Sequence, residues 1–249
     1  MFMQAEGERA KCGVESPGLS VSASRRIYFI RHGVTEWNKL YKYQGRTDIP
    51  LSQEGEEQAY RAALRLSRLR TVPNNILVSP LSRAYRTAEI IADVLQIHKI
   101  EICKELTEID FGVWEGLTVP DIIAKTDVAV FDRWRRSQLS VTAPGGEDHM
   151  DILKRCANVS KMLLSKRTGD TIIVGHGAFF RTLFVSLLDI GVTDVFWHMG
   201  IDNCSITAVD VTAGMKGVIA YFNDNLHNKC ELCEVLNIPL FYPIHRSVC

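Results

Sequence analysis

Two stretches of this sequence place a histidine where a core strand would end. In "YFIRHG" (28–33) and "IIVGHG" (172–177) an apolar run leads straight into a histidine beside glycine. In open α/β sheets, ligands gather beyond the carboxyl ends of strands, where helix N-termini present N–H groups to anions. His32 and His176 are therefore candidates for one shared pocket, and a neighbouring glycine lets backbone approach a ligand closely. One histidine at a strand end is more often a capping or core residue than a catalyst. Two of them, with Arg31 fixed beside the first, suggest more. A nearby guanidinium disfavours protonation of an imidazole, and a neutral imidazole has a free ring nitrogen that can attack an electrophile. Cations around a neutral nucleophile suit a phosphoryl group, whose charge the arginines would clamp.

A third strand end, "NILVSPLSRAYRTAEI" (75–90), carries Arg83 in the first turn of a helix that Pro80 would start. From there it would point back over the sheet, although alone it also reads as a solvated helix arginine. Arg86, one turn on, fits either description. A leaving alkoxide needs a proton, which a partly desolvated carboxylic acid can supply. "ELTEIDFGVWEGL" (105–117) offers Glu108, Asp110 and Glu115, and residue types alone do not choose among them.

The elements that must hold these groups follow from periodicity. Strands are expected at 26–30, 75–79, within 99–106, and at 170–176. Helices are expected at 52–70 with Ser52 as the cap, 81–96, 121–137, 147–167 and 178–190. "CSITAVDV" and "GVIAYFN", separated by "TAGMK", read as a hairpin on a sheet edge. Strands alternating with helices define an α/β domain whose mainly parallel sheet is covered on both faces. Residues 1–24 lack periodicity and are expected to form a disordered tail. One domain is expected over 25–230, followed by a tail, 231–249. The tail's apolar residues would pack on the domain or form a homodimer contact.

The chain has 249 residues, 46% hydrophobic and 23% charged, enough for a sizeable core. Lys+Arg and Asp+Glu both total 29, so bulk attraction to nucleic acid or an anionic membrane is not expected. Seven cysteines, an odd number without a secretory signal ahead of them, suggest free thiols and a cytoplasmic protein. Glutamates in the first 24 residues argue against an organelle address, and no apolar run is long enough to span a bilayer. "HNKCELC" puts His227, Cys230 and Cys233 at zinc-like spacing, but a fourth ligand would have to come from His245 or Cys249. Free thiols are the expectation there, and His98, His149 and His198 are expected to be surface or locally hydrogen-bonded residues.

"RHGVTEWN", "QGRTDIPLSQEGEEQA", "SPLSRAYRTAE", "ELTEIDFGVWEGL", "APGGED" and "VGHGAFFR" follow one another in an order and spacing that resembles the histidine phosphatase superfamily. This is the family of cofactor-dependent phosphoglycerate mutases and related phosphatases, and the resemblance covers about residues 26–225. It implies a three-layer α/β/α fold, phosphoglycerate mutase-like, with a mainly parallel sheet and an antiparallel edge strand. It implies His32 as a transiently phosphorylated nucleophile, with Arg31, Arg83 and His176 completing the phosphate cage. Glu108 matches the proton donor, while Asn38, Gln44 and Gly45 match positions lining the phosphate pocket. Gly33, Thr35 and Gly177 match positions of structural character.

No metal or cofactor is implied, because the arginines supply the charge stabilisation. The expected activity is metal-independent hydrolysis of small phosphorylated metabolites through a phosphohistidine. A phosphoglycerate mutase is the alternative. Mutases carry a long insertion between the acid's segment and the second histidine motif, and little room exists for it here. "DFGVWEGL" and "PGGE" are similar to the small broad-specificity and α-ribazole-type phosphatases. A catalytically silent scaffold of the same fold is a third reading, opposed by the retention of every matched catalytic residue. "WRRS" (134–137) resembles the basic tetrad with which mutases hold a carboxylate. The expected reading of Arg135 and Arg136 is nevertheless a solvated helix end; lining the mouth, they would instead favour acidic substrates.

Overall fold

The computed structural model describes residues 25–125, 128–136, 141–165, 169–190, 198–212 and 216–229. The expected tails and the Cys230/Cys233 pair lie outside these residues. Strand β1 (Arg25–Arg31) is followed by a short helix α1 (Glu36–Lys39), then α2 (Gln53–Ser67), β2 (Ile76–Val78), α3 (Ser82–Leu95) and β3 (Ile100–Ile102). Helices α4 (Val119–Lys125), α5 (Val128–Arg136) and α6 (His149–Ser165) precede β4 (Thr171–Gly175) and α7 (Gly177–Leu188). Strands β5 (Ile206–Val211) and β6 (Val218–Asp224) form the hairpin.

The sheet has six strands in the order β3-β2-β4-β1-β5-β6. β3, β2, β4 and β1 run parallel, and antiparallel pairing is confined to the hairpin side, where β5 pairs with β1 and with β6. Alternate residues of β1 serve opposite faces, as a strand's two-residue period requires. Ile27 and Phe29 join Val159 and Leu163 of α6 and Phe180 and Phe184 of α7 in one core. Tyr28 and Ile30 join Leu66 of α2 and Ala88 and Ile91 of α3 in the other. Phe29 meets Phe180 and Phe184 edge-on at 5.4 and 5.0 Å, a geometry that adds roughly 0.5–1.5 kcal/mol per pair beyond area burial. This is the expected three-layer architecture.

Local signals account for the helix ends. The Ser52 hydroxyl accepts from Gly55 N at 3.2 Å, and Gln96 and Asp189 end α3 and α7 in the left-handed conformation. The stretch expected to be helical over 121–137 overlaps α4, which starts earlier at Val119, and includes α5. Helix α1 has no counterpart among the expected elements. Thr35 and Asn38 close a capping box around it, so Thr35 is structural in a specific sense. Among the described residues no helix is long and apolar enough to cross a membrane.

The register of the central strands decides where the chemistry falls. Arg31 lies opposite Gly175, and His32 N donates to Gly175 O at 2.9 Å. The next residues of the two strands, His32 and His176, therefore leave the sheet side by side.

Candidate active site

Four parallel strand ends converge on one cleft. β1 delivers Arg31 and His32, α3 beyond β2 delivers Arg83, the loop after β3 delivers Glu108, and α7 beyond β4 delivers Gly177, Ala178 and Arg181. Asn38, Lys42, Tyr43, Gln44, Gly45, Phe111 and Trp134 complete the wall around about 190 Å³. That is below the roughly 300–1,000 Å³ of sites for drug-sized ligands, and it suits a small molecule.

His32 is 3% exposed. Its Nδ1 lies 2.7 Å from Gly33 O, and because a carbonyl only accepts, the proton sits on Nδ1 and the lone pair on Nε2. Arg83 Nε donates to that Nε2 at 3.3 Å. The other two nitrogens of the Arg83 fork donate to Thr47 O at 2.9 Å and Gly45 O at 2.7 Å. Arg31 donates to Ile201 O at 2.7 Å, and its Nε is buried with no partner among the described residues. His176 lies behind His32, 5.2 Å from ring to ring, rather than at the cleft wall. Its Nε2 meets Ser79 Oγ at 2.7 Å, while its Nδ1 is buried and unpartnered among the described residues.

Glu108 is the carboxylate of the cleft wall among the described residues. Phe179 N donates to it at 2.8 Å and Ala178 N at 3.2 Å, so the first turn of α7 holds it in place. Its two sequence competitors are engaged elsewhere: Asp110 accepts from Gly112 N at 2.8 Å, and Glu115 binds the loop around Arg46 and Thr47. Arg31, Arg83, Arg181 and Lys42 oppose the single acid, so a chain of zero net charge concentrates cations here. Burial pushes the guanidinium pKa values of Arg83 and Arg181 down to about 10, which leaves both protonated at neutral pH.

Burial first, then Arg83 and Arg31, hold His32 well below the ordinary imidazole value of 6.5. Burial and Arg83 do the same to His176, and burial lowers His227. His32 and His176 stay neutral in the folded chain at pH values where the unfolded chain binds their protons. Stability therefore falls as pH drops below 6.5, by up to ~1.4 kcal/mol per pH unit for each histidine. A thermal melting series should show Tm climbing from about pH 5 to 6.5 and levelling above it; a flat profile over that window would contradict the buried neutral pair.

The remaining candidate residues divide between the cleft, the fold and the surface. Ligand approach is not what requires glycine at 33: a Cβ there would meet Gly55 O at 2.3 Å, so it is glycine because two backbones touch. Gly177 does sit at the cleft, with Arg31 Nε 3.3 Å from where its Cβ would be. Of "WRRS", Trp134 lines the cleft, stacked on Phe131 at 5.8 Å, whereas Arg135 and Arg136 are exposed and Ser137 lies outside the described residues. Arg86 pairs with Glu56 and Glu89 at the surface. His98 and His198 are exposed, and His149 lies outside the cleft wall. His227 Nε2 meets Cys204 O at 2.9 Å, and no metal-binding cluster occurs among the described residues. Sequence reading passed over Arg181, Lys42 and Tyr43. Arg181 had a usable signal: it lies one helical turn beyond Gly177 and Ala178, on the same face.

The fold and this cation-rich histidine cleft define an α/β enzyme that handles phosphate. The chain belongs to the histidine phosphatase superfamily (branch 1), whose family model matches residues 27–225, and it is a phosphatase. Phosphoserine phosphatase 1 of Hydrogenobacter thermophilus is 31% identical over 205 residues, covering 81% of this chain and 93% of the relative. Phosphoglycerate mutase-like protein 4 of Arabidopsis thaliana is 33% identical over 162 residues, 64% of this chain and 69% of the relative. A phosphoserine phosphatase mutant from Entamoeba histolytica, solved in complex with phosphoserine, superposes with a TM-score of 0.71 at 27% identity. That match covers 82% of this chain and 99% of the other.

Proposed function

We propose that the chain hydrolyses small phosphomonoesters without a metal, through a phosphohistidine at His32. The observation that carries this reading is the tautomer of His32: Nδ1–H is committed to Gly33 O, which leaves the Nε2 lone pair beside Arg83 in the cleft. Nε2 attacks phosphorus as the P–O bond to the alkoxide breaks, and Glu108 delivers the proton that the leaving oxygen needs. Arg31 and Arg83 neutralise the equatorial oxygens, and the long Arg83–His32 contact gives way as the phosphoryl group arrives. His176 backs the nucleophile: its Nε2 meets Ser79 Oγ at 2.7 Å, and burial, with the positive charge of Arg83 and Arg31 beside it, keeps the ring neutral. Glu108, now a carboxylate, takes a proton from water as the water oxygen attacks phosphorus. Inorganic phosphate leaves and His32 is restored. Gln44 and Gly45 shape the pocket through the loop that also grips Arg83, and Asn38 does so from α1.

The cations exceed what one phosphoryl group needs. Arg181 and Lys42, rather than Arg135 and Arg136, support a preference for substrates with a second negative group. The family's phosphoserine-named members are consistent with a phosphorylated hydroxy or amino acid. A panel of phosphorylated metabolites, with a phosphoglycerate mutase assay in the same set, tests this. Arg181→Met should raise KM for phosphoserine or phosphoglycerate about 10- to 100-fold, the worth of a hydrogen bond to a charged group, and leave glycerol phosphate nearly unchanged. An equal loss on both substrates would refute the second-anion preference.

A further inference from the structure

Arg83 takes its orientation from a loop, and that loop takes its orientation from Glu115. We infer that Glu115 is a positioning residue that aims the Arg83 guanidinium at the phosphoryl group. This rests on the reading of Arg83 as a phosphate clamp.

Both Nη groups of Arg83 are held by carbonyls of residues 45 and 47, so the fork points where those carbonyls let it. Residues 45–47 lie in no helix or strand; a turn bond from Thr47 N to Gln44 O at 3.1 Å closes the loop, and further support comes from below. Glu115 Oε1 accepts from Arg46 N at 2.8 Å and from Phe111 N at 3.1 Å. Its Oε2 accepts from Thr47 N at 2.9 Å and Thr47 Oγ1 at 2.5 Å. Three backbone N–H groups and the Thr47 hydroxyl thus converge on its two oxygens.

The link to Arg83 is geometric. Gly45 C=O and Arg46 N–H belong to one trans peptide unit and point in opposite directions. By holding the N–H, Glu115 turns the C=O toward Arg83 Nη2. The identity of residue 45 agrees: it has φ +54°, and a Cβ there would stand 1.9 Å from Glu115 Oε1. It is glycine because the carboxylate fills that space. The negative charge of Glu115 also favours the protonated form of Arg83.

Glu115→Gln exchanges one acceptor for an amide NH2 that faces donors. It should lower kcat/KM by ~10–100-fold, as for supporting partners of ligating residues generally, and raise the inhibition constant of inorganic phosphate by a similar factor. The decisive arm is a double-mutant cycle with Arg83→Ala, in which Glu115→Gln should add less than about 2-fold. A carboxylate that merely stabilises the fold would give the same loss in both backgrounds, and that result, or full activity of Glu115→Gln alone, overturns the inference. Wild-type turnover by Arg83→Ala would instead overturn the clamp reading beneath it. Should Glu115→Gln not fold, Thr47→Val removes a single donor and should give a several-fold loss, again absent with Arg83→Ala; an equal loss in both backgrounds would overturn the inference here too.

Discussion

Replacing His32 with alanine is expected to abolish turnover, with a loss of at least ~10⁴-fold in kcat, the order seen when a covalent nucleophile is removed. The expectation is this large because nothing else in the cleft can substitute. Glu108 is held by α7 and is the proposed proton donor, and His176 sits a layer behind with its Nε2 engaged by Ser79. Arg31 and Arg83, the proposed phosphate clamp, remain in the variant, so His32→Ala should still bind phosphate and substrate. Loss of turnover together with retained binding identifies a nucleophile. Turnover near the wild-type rate would require water to attack phosphorus directly and would remove the phosphohistidine from the mechanism.

Glu108→Gln is the second large effect, and its size should depend on the leaving group. An alkoxide leaves only with a proton, so hydrolysis of an alkyl phosphate should fall by ~10²–10⁴-fold, the usual worth of a general acid. A nitrophenolate needs no proton, so its release in the first step should be nearly unimpaired. The second step still lacks its base. Nitrophenyl phosphate should therefore give a burst of one phenolate per site followed by slow turnover, while alkyl phosphates give none. Equal losses on both esters without a burst would argue that Glu108 serves only to hold the first turn of α7, where it accepts from Ala178 N and Phe179 N. The glutamine keeps one carbonyl acceptor there, so the cap costs no more than about 0.5–2 kcal/mol.

Much of this was legible in the residues, and the reasons for the remainder are specific. The strands bearing His32 and His176 announce themselves as apolar runs ending in polar residues, and Ser52 announces α2. These signals are local, so one sequence carries them. The register that pairs Arg31 with Gly175 is not local, and it is what makes the two histidines neighbours. The three carboxylates of the 105–117 segment are the sharpest case. Glu108, Asp110 and Glu115 are alike in type, and residue chemistry left them open until the family resemblance selected Glu108. In the structure Glu108 meets the cleft and Glu115 meets Arg46 and Thr47, because partners far along the chain divide them. Arg135 and Arg136 show the complementary case: their charge is visible in sequence, but both are exposed, as a solvated helix end requires, and the face of α5 that turns inward carries Trp134.

The most direct measurement is rapid acid-free quenching of the Glu108→Gln variant during turnover of nitrophenyl phosphate, followed by mass analysis of its peptides. The account predicts one added phosphoryl group per chain, labile to acid and stable to base, on the peptide carrying His32, and none in the His32→Ala variant. A burst of phenolate with no phosphoryl group on His32, or with one on another residue, would contradict it.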